Sequence, residues 1–148
     1  MKRIPKIFYL AWSLFLFSLF LPAAESQRGW QCALICAELP FDNKWDGGAV
    51  YYFMFTLPNL LMLLSPLAVV LWAGKKRKTH VLLGFALFSA LYVLSFWVIN
   101  MFSSGGMNLQ IGYYLWTISF FALFAAILQL SRTAARSGNT PEFSAVTP

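Results

Sequence analysis

Four stretches of the chain are apolar at nearly every position, and each has about the length a helix needs to cross a hydrocarbon core, about 20 residues. They run approximately over Ile7–Ala24, Ala49–Ala73, Val81–Phe102 and Ile111–Leu130. None contains Asp, Glu, Lys, Arg or His, and their polar groups are limited to Ser, Thr, Asn, Gln, Tyr and Trp. Buried helices of a soluble bundle would carry a polar face recurring at helical period, and none of the four has one. The pattern predicts an all-α integral membrane domain over residues 1–131. Its four transmembrane helices form an up-down bundle, with an outer loop over 25–48 and a polar, disordered tail over 132–148.

Composition agrees with that placement. Of the 148 residues, 59% are hydrophobic and 11% charged, whereas a soluble domain carries about 25% charged residues to face water. The mean hydropathy is +0.66.

The charges orient the bundle. Lys2, Arg3 and Lys6 precede the first run, Lys75, Lys76, Arg77 and Lys78 separate the second from the third, and Arg132 and Arg136 follow the fourth. Only Arg28 and Lys44 fall on the opposite side. Lys and Arg close to membrane spans are retained in the cytoplasm, so both termini are expected there, in a multi-pass protein of the bacterial inner membrane. The same logic accounts for "GKKRKTH". Alone, four consecutive basic residues suggest a nucleic-acid patch; in a short hairpin between spans they are a cytoplasmic anchor beside anionic headgroups. The lipid bilayer is the partner expected, with no nucleic acid.

The first run has a second reading. Its basic start, apolar body and the small residues of "LPAAES" fit a cleaved signal peptide, which would leave three spans. The run is longer and more aromatic than most such segments, and Leu21 and Pro22 suit a peptidase poorly. A retained helix is preferred.

The outer loop "GWQCALICAELPFDNKWDGG" holds both cysteines. An outward, oxidising compartment favours their pairing. In a helical turn the Cys32-x3-Cys36 spacing separates the Cα atoms by about 6 Å, inside the span of a disulfide, so a structural disulfide is expected. Metal binding and hydrolysis find no support. The one histidine, His80, lies on the cytoplasmic side, and Glu38, Asp42 and Asp46 lack the alternating acids of a calcium loop. No metal and no cofactor are expected. The outward cysteines also invite comparison with the disulfide-bond protein B and vitamin K epoxide reductase families. Those oxidoreductases use a Cys-x-x-Cys-type pair beside a quinone and a second pair as relay, and here "SSGGMNLQ" supplies no second pair.

Carriers place ionisable residues inside the bilayer, where ions need partners, and this chain has none. It resembles small multidrug exporters in size and span count but lacks their embedded glutamate. The polar residues that remain, among them Thr56, Asn59, Ser65, Ser95, Asn100 and Ser119, suit hydrogen bonding between helices. Asn59 lies between Pro58 and Pro66, which bend a helix and free its carbonyls. Thr56, Asn59, Ser95, Asn100 and Ser119 are the candidate ligand or helix-packing site. Ala86 with Ala90, and Ala122 with Ala126, allow close approach of the third and fourth helices. Trp12 and Trp72 mark the inner interface. Trp30, Trp45, Tyr51, Tyr52, Trp97, Tyr113, Tyr114 and Trp116 crowd the outer one, as a lid or a docking face.

The segments "SLFLP", "GW", "LPNLLMLLSP" and "GYYLWTIS" resemble a group of small, uncharacterised bacterial four-helix inner-membrane proteins, which implies the four-helix layout and no activity. Claudin-like proteins share the span count and an outer Trp and Cys pair, but their first loop is longer and strand-forming. Two functions are expected from these residues. One is a non-catalytic accessory or assembly subunit whose aromatic outer face binds another membrane protein or a second copy. The other is handling of a small molecule, lipid or quinone near Asn59, with thiol-disulfide redox at Cys32 and Cys36 a third and weaker reading.

Overall fold

The computed structural model describes residues 4–25, 27–38, 47–72, 75–102 and 108–137. Its elements are α1 (Lys6–Phe20), β1 (Pro22–Ala24), β2 (Gln27–Arg28), α2 (Gly29–Glu38), α3 (Gly47–Met54), α4 (Thr56–Trp72), α5 (Lys76–Phe102) and α6 (Ile111–Ser137). Among the described residues three helical segments are long and apolar enough to cross a membrane, Val50–Trp72, Arg77–Phe102 and Ile111–Thr133. α1 is shorter.

Prolines set most of the boundaries. Pro22 disfavours helical backbone at the residue before it. Leu21 is accordingly extended, at φ −88° and ψ 154°, so α1 ends at Phe20 rather than continuing to Ala24 as the apolar run suggests. The run over 49–73 is divided by a turn at Phe55. Pro58 can neither donate to Met54 nor tolerate that carbonyl beneath its ring, so it sits in the first turn of a new helix. Pro66 lies inside α4 and leaves the Met62 carbonyl without its helical donor. The Ser65 hydroxyl takes that place, donating to Met62 O at 2.8 Å, and accepts the Trp12 indole N–H at 3.1 Å. Trp12, expected at an interface, thus points into the bundle and ties α1 to α4.

α1 packs along α6. Phe8, Ala11, Phe15 and Ser18 recur at three- and four-residue spacing and are buried, and the Phe15 ring meets Phe120 edge-on. α4 presents Pro58, Met62, Ser65 and Val69 to the interior and leaves Leu60, Leu63, Leu64, Leu67 and Val70 exposed, as a lipid-facing side requires. Ala86, Ala90 and Ala126 are buried where α5 packs on α6.

The chain leaves α1 against the start of α6. The short β1–β2 hairpin is bonded to the segment before α6 through Glu25 N–H to Asn108 O and Gln110 N–H to Ala23 O, at 3.0 and 2.9 Å. α1 and α6 therefore run antiparallel, and the start of α1 and the end of α6 lie at one end of the bundle, with the hairpin, α2 and α3 at the distal end. α6 extends through Ser137, so the first residues of the expected tail, 132–137, are helical; 138–148 lie outside the described residues.

Gly112 marks the tightest part of this junction. A Cβ there would come to 2.6 Å from Pro22 O and 2.9 Å from Leu21 O, and backbone cannot move aside as a side chain can. Gly112→Ala should lower stability by about 1–3 kcal/mol. Gly84→Ala, with nothing within 4 Å of the added carbon, should be neutral or stabilising by up to about 1 kcal/mol. Thermal unfolding of the two variants in detergent checks the contrast.

Candidate functional site

At the distal end the helices do not close completely. A cavity of about 240 Å³ lies between the hairpin, α2, the junction of α3 with α4, and the facing ends of α5 and α6. An apolar cavity of about 150 Å³ already admits a benzene ring, so the space suits a ring with substituents.

Each wall follows from local sequence. Ala23, Ala24, Glu25 and Gln27 bring in the hairpin, and Gly29 opens α2. A Cβ at Gly29 would collide with Ser18 O, so a residue without a side chain is what lets α2 start beside the end of α1. α2 turns Cys32, Ala33 and Cys36 toward the cavity, while Trp30 and Leu34 remain 43% and 50% exposed. Ile35 both lines the space and is 47% exposed, which places it at the mouth.

The opposite wall is aromatic: Tyr52, Phe55, Phe96, Tyr113 and Trp116. Four of these rings close a circuit. Centroid separations are 5.4 Å for Phe55–Phe96, 5.6 Å for Phe96–Tyr113, 5.7 Å for Tyr113–Trp116 and 5.9 Å for Phe55–Trp116. Such spacing is characteristic of mutually packed aromatic pairs, so the rings form a preassembled surface. The polar tips of the circuit are used internally: Tyr113 donates its hydroxyl to Val93 O at 2.7 Å, and the Trp116 indole N–H donates to Asn59 Oδ1. Tyr51, Tyr52, Tyr113 and Trp116 of the outer aromatic set thus turn inward. Trp30, Trp97 and Tyr114 remain exposed, and Trp45 lies outside the described residues.

Of the five polar candidates, only Asn59 reaches the cavity. Its Oδ1 accepts the Trp116 indole N–H at 2.9 Å, and its Nδ2 donates to Phe55 O at 3.2 Å. This holds both α6 and the ring circuit against α4; interhelical bonds of this kind contribute roughly 0.6 kcal/mol on average in membranes. Ser95 instead pairs with the Tyr51 hydroxyl at 3.1 Å, and Ser119 donates within its own helix to Trp116 O. The Thr56 hydroxyl is buried without a partner among the described residues. Asn100, in the last turn of α5, does not line the cavity. At the other end, Lys75, Arg77 and Lys78 are exposed. Cations in the first turn of α5 oppose the helix dipole, so helix stability is not what places them there.

The expected disulfide is overturned. Cys32 and Cys36 are free thiols. They lie one turn apart on one face of α2, where Cβ atoms are about 5–6 Å apart, whereas a disulfide needs about 3.5–4.5 Å. The Cα spacing suffices, but the nearly parallel Cα–Cβ bonds keep the sulfurs from closing without unwinding the turn. Burial raises both thiol pKa values; Cys36 is pushed up to about 11, with a smaller contribution from Cys32 beside it. Desolvated thiols of this kind are poor nucleophiles at neutral pH, and serve here as apolar wall. Among the described residues no group of three or more His, Cys, Asp or Glu could hold a metal ion.

Sequence reasoning missed α2 as a wall and the inward rings. The four-residue repeats Trp30–Leu34 and Cys32–Cys36 were the available signal for a helix with two distinct faces. Comparison with family models, curated proteins and solved structures finds no match, so geometry alone carries the reading.

Maleimide labelling of denatured, unreduced protein should find two thiols. Because the folded pKa of Cys36 is raised, its contribution to stability is present below pH 9 and is lost as pH rises through about 11. The unfolding temperature should fall across that window, and by less in Cys36→Ala; identical profiles would contradict a desolvated Cys36.

Proposed function

We propose that this protein binds a small, apolar, ring-bearing molecule in the cavity beside Asn59. The observation that carries the proposal is the preformed space of about 240 Å³ between α2 and the aromatic circuit. Ligand sites are mostly apolar concavities with a few fixed polar groups, often between helices of a bundle, and this one has that character. Quinones and lipid-derived rings belong to the class that fits.

The membrane setting supports the same reading. α1 contributes about 22 Å of helical rise, and the extended residues 21–24 add at most about 13 Å, together enough for a fourth span. Its buried face against α6 favours retention over cleavage. Proposed with it is the orientation set by the basic residues, with the cavity on the outer side; a reporter fused after Lys78 should behave as cytoplasmic. The accessory-subunit reading keeps the exposed Trp30, Trp97 and Tyr114 as its support, a smaller surface than the sequence promised.

Purification in mild detergent followed by mass spectrometry of the extract tests the proposal. A ring-containing small molecule should be retained near one equivalent, and be lost from Ala33→Phe, which fills the cavity from α2 without touching the α1–α6 junction. A stoichiometric protein partner with no retained small molecule would favour the accessory role instead.

A further inference from the structure

We propose that the cavity selects organic cations, its ligand being an aryl-bearing quaternary or tertiary ammonium; this rests on the small-molecule reading above. The first support is charge. Among the described lining residues Glu25 is the single charged side chain, and no Lys, Arg or His joins it. Arg28 is exposed nearby but does not line the space.

Helix ends could have reversed that sign. α2, α4 and α6 all start at the cavity, and helix N-termini are partially positive. At the start of α2 the Gly29 N–H is already taken, donating to Leu21 O at 3.0 Å. Glu25 remains the one full charge among the described lining residues.

The second support is backbone strain. Among the described residues Glu25 is the non-glycine residue with positive φ, at 51°, a region in which β-carbon residues are uncommon. The position is clamped from both sides, by Glu25 N–H to Asn108 O and by the Gln110 side-chain amide to Glu25 O. Glycine would satisfy this backbone without strain, so a structural role alone does not explain the carboxylate. Strained residues of this kind concentrate at ligand sites.

The third support is the wall. Phe55, Phe96, Tyr113 and Trp116 form a continuous aromatic surface, and aromatic rings attract weakly hydrated organic cations, tryptophan most strongly. An ammonium at the mouth can meet Glu25 while its aryl group enters the apolar interior.

Titration calorimetry in nanodiscs of zwitterionic lipid, with protein-free discs as blank, tests the inference using benzyltrimethylammonium and its uncharged carbon isostere neopentylbenzene. The cation should bind about five- to thirtyfold more tightly. Glu25→Gln should bring the two affinities together, removing most of that preference. Glu25→Gly should also lose the preference but unfold at an equal or higher temperature, because the strain is relieved. Equal affinity for the two probes, abolished by Ala33→Phe, would overturn cation selection and leave the cavity reading intact. A cation preference that survives Glu25→Gln would overturn the role of Glu25. Binding of neither probe would overturn cation selection, and retention of an endogenous molecule would then decide the cavity reading separately.

Discussion

The cavity depends on the junction where the end of α1 is bonded to the start of α6. Backbone bonds from Glu25 to Asn108 and from Gln110 to Ala23 fix the two segments, and Gly112 lets the carbonyls of Leu21 and Pro22 approach within van der Waals range of α6. From this junction the hairpin turns back, and α2 begins beside Ser18. α2 thereby lies over the gap between α4, α5 and α6 instead of extending away from the bundle. A larger residue at Gly29 or Gly112 would force the elements apart, and the wall carrying Cys32 and Cys36 would move with them.

A second constraint is the need to satisfy polar groups without water. Pro66 frees a carbonyl, and Ser65 answers it while accepting from Trp12. Asn59 has the same dual role toward Phe55 O and the Trp116 indole. In each case one side chain bonds to its own segment and reaches a second helix, and at Ser65 the defect left by Pro66 becomes an interhelical link. The links lie at different depths, the Asn59 pair at the cavity and the Ser65 pair nearer the start of α1. The distal aromatic rings are held by this network and by one another, which is why the space beside them persists rather than collapsing.

Much of the helical layout was legible in the sequence, because long apolar runs without ionisable residues have few alternatives to helices in a membrane. Asn59 stood out as an amide between two prolines, although the carbonyl it bonds, Phe55 O, is not one that a proline frees. The break at Phe55 and the end of α1 at Phe20 followed from Pro58 and Pro22, whose local effects outweigh continuous hydropathy. The free thiols were not legible, because Cα spacing permits a disulfide that side-chain direction forbids. The inward turn of Tyr113 and Trp116 was hidden as well. Aromatic residues near a span end suit an interfacial belt and a packed core equally by composition, and only the partners Val93 O and Asn59 Oδ1 decide between them.

A space preorganised by the α1–α6 junction is the central claim, and xenon reports on it without presuming a ligand. Xenon enters dry apolar cavities. Crystals of the purified protein pressurised with xenon should show the atom between Cys36, Phe55 and Trp116, with the rings displaced little from their unpressurised positions. A distal end filled by side chains, with no xenon there and Trp116 closed onto α2, would contradict the account.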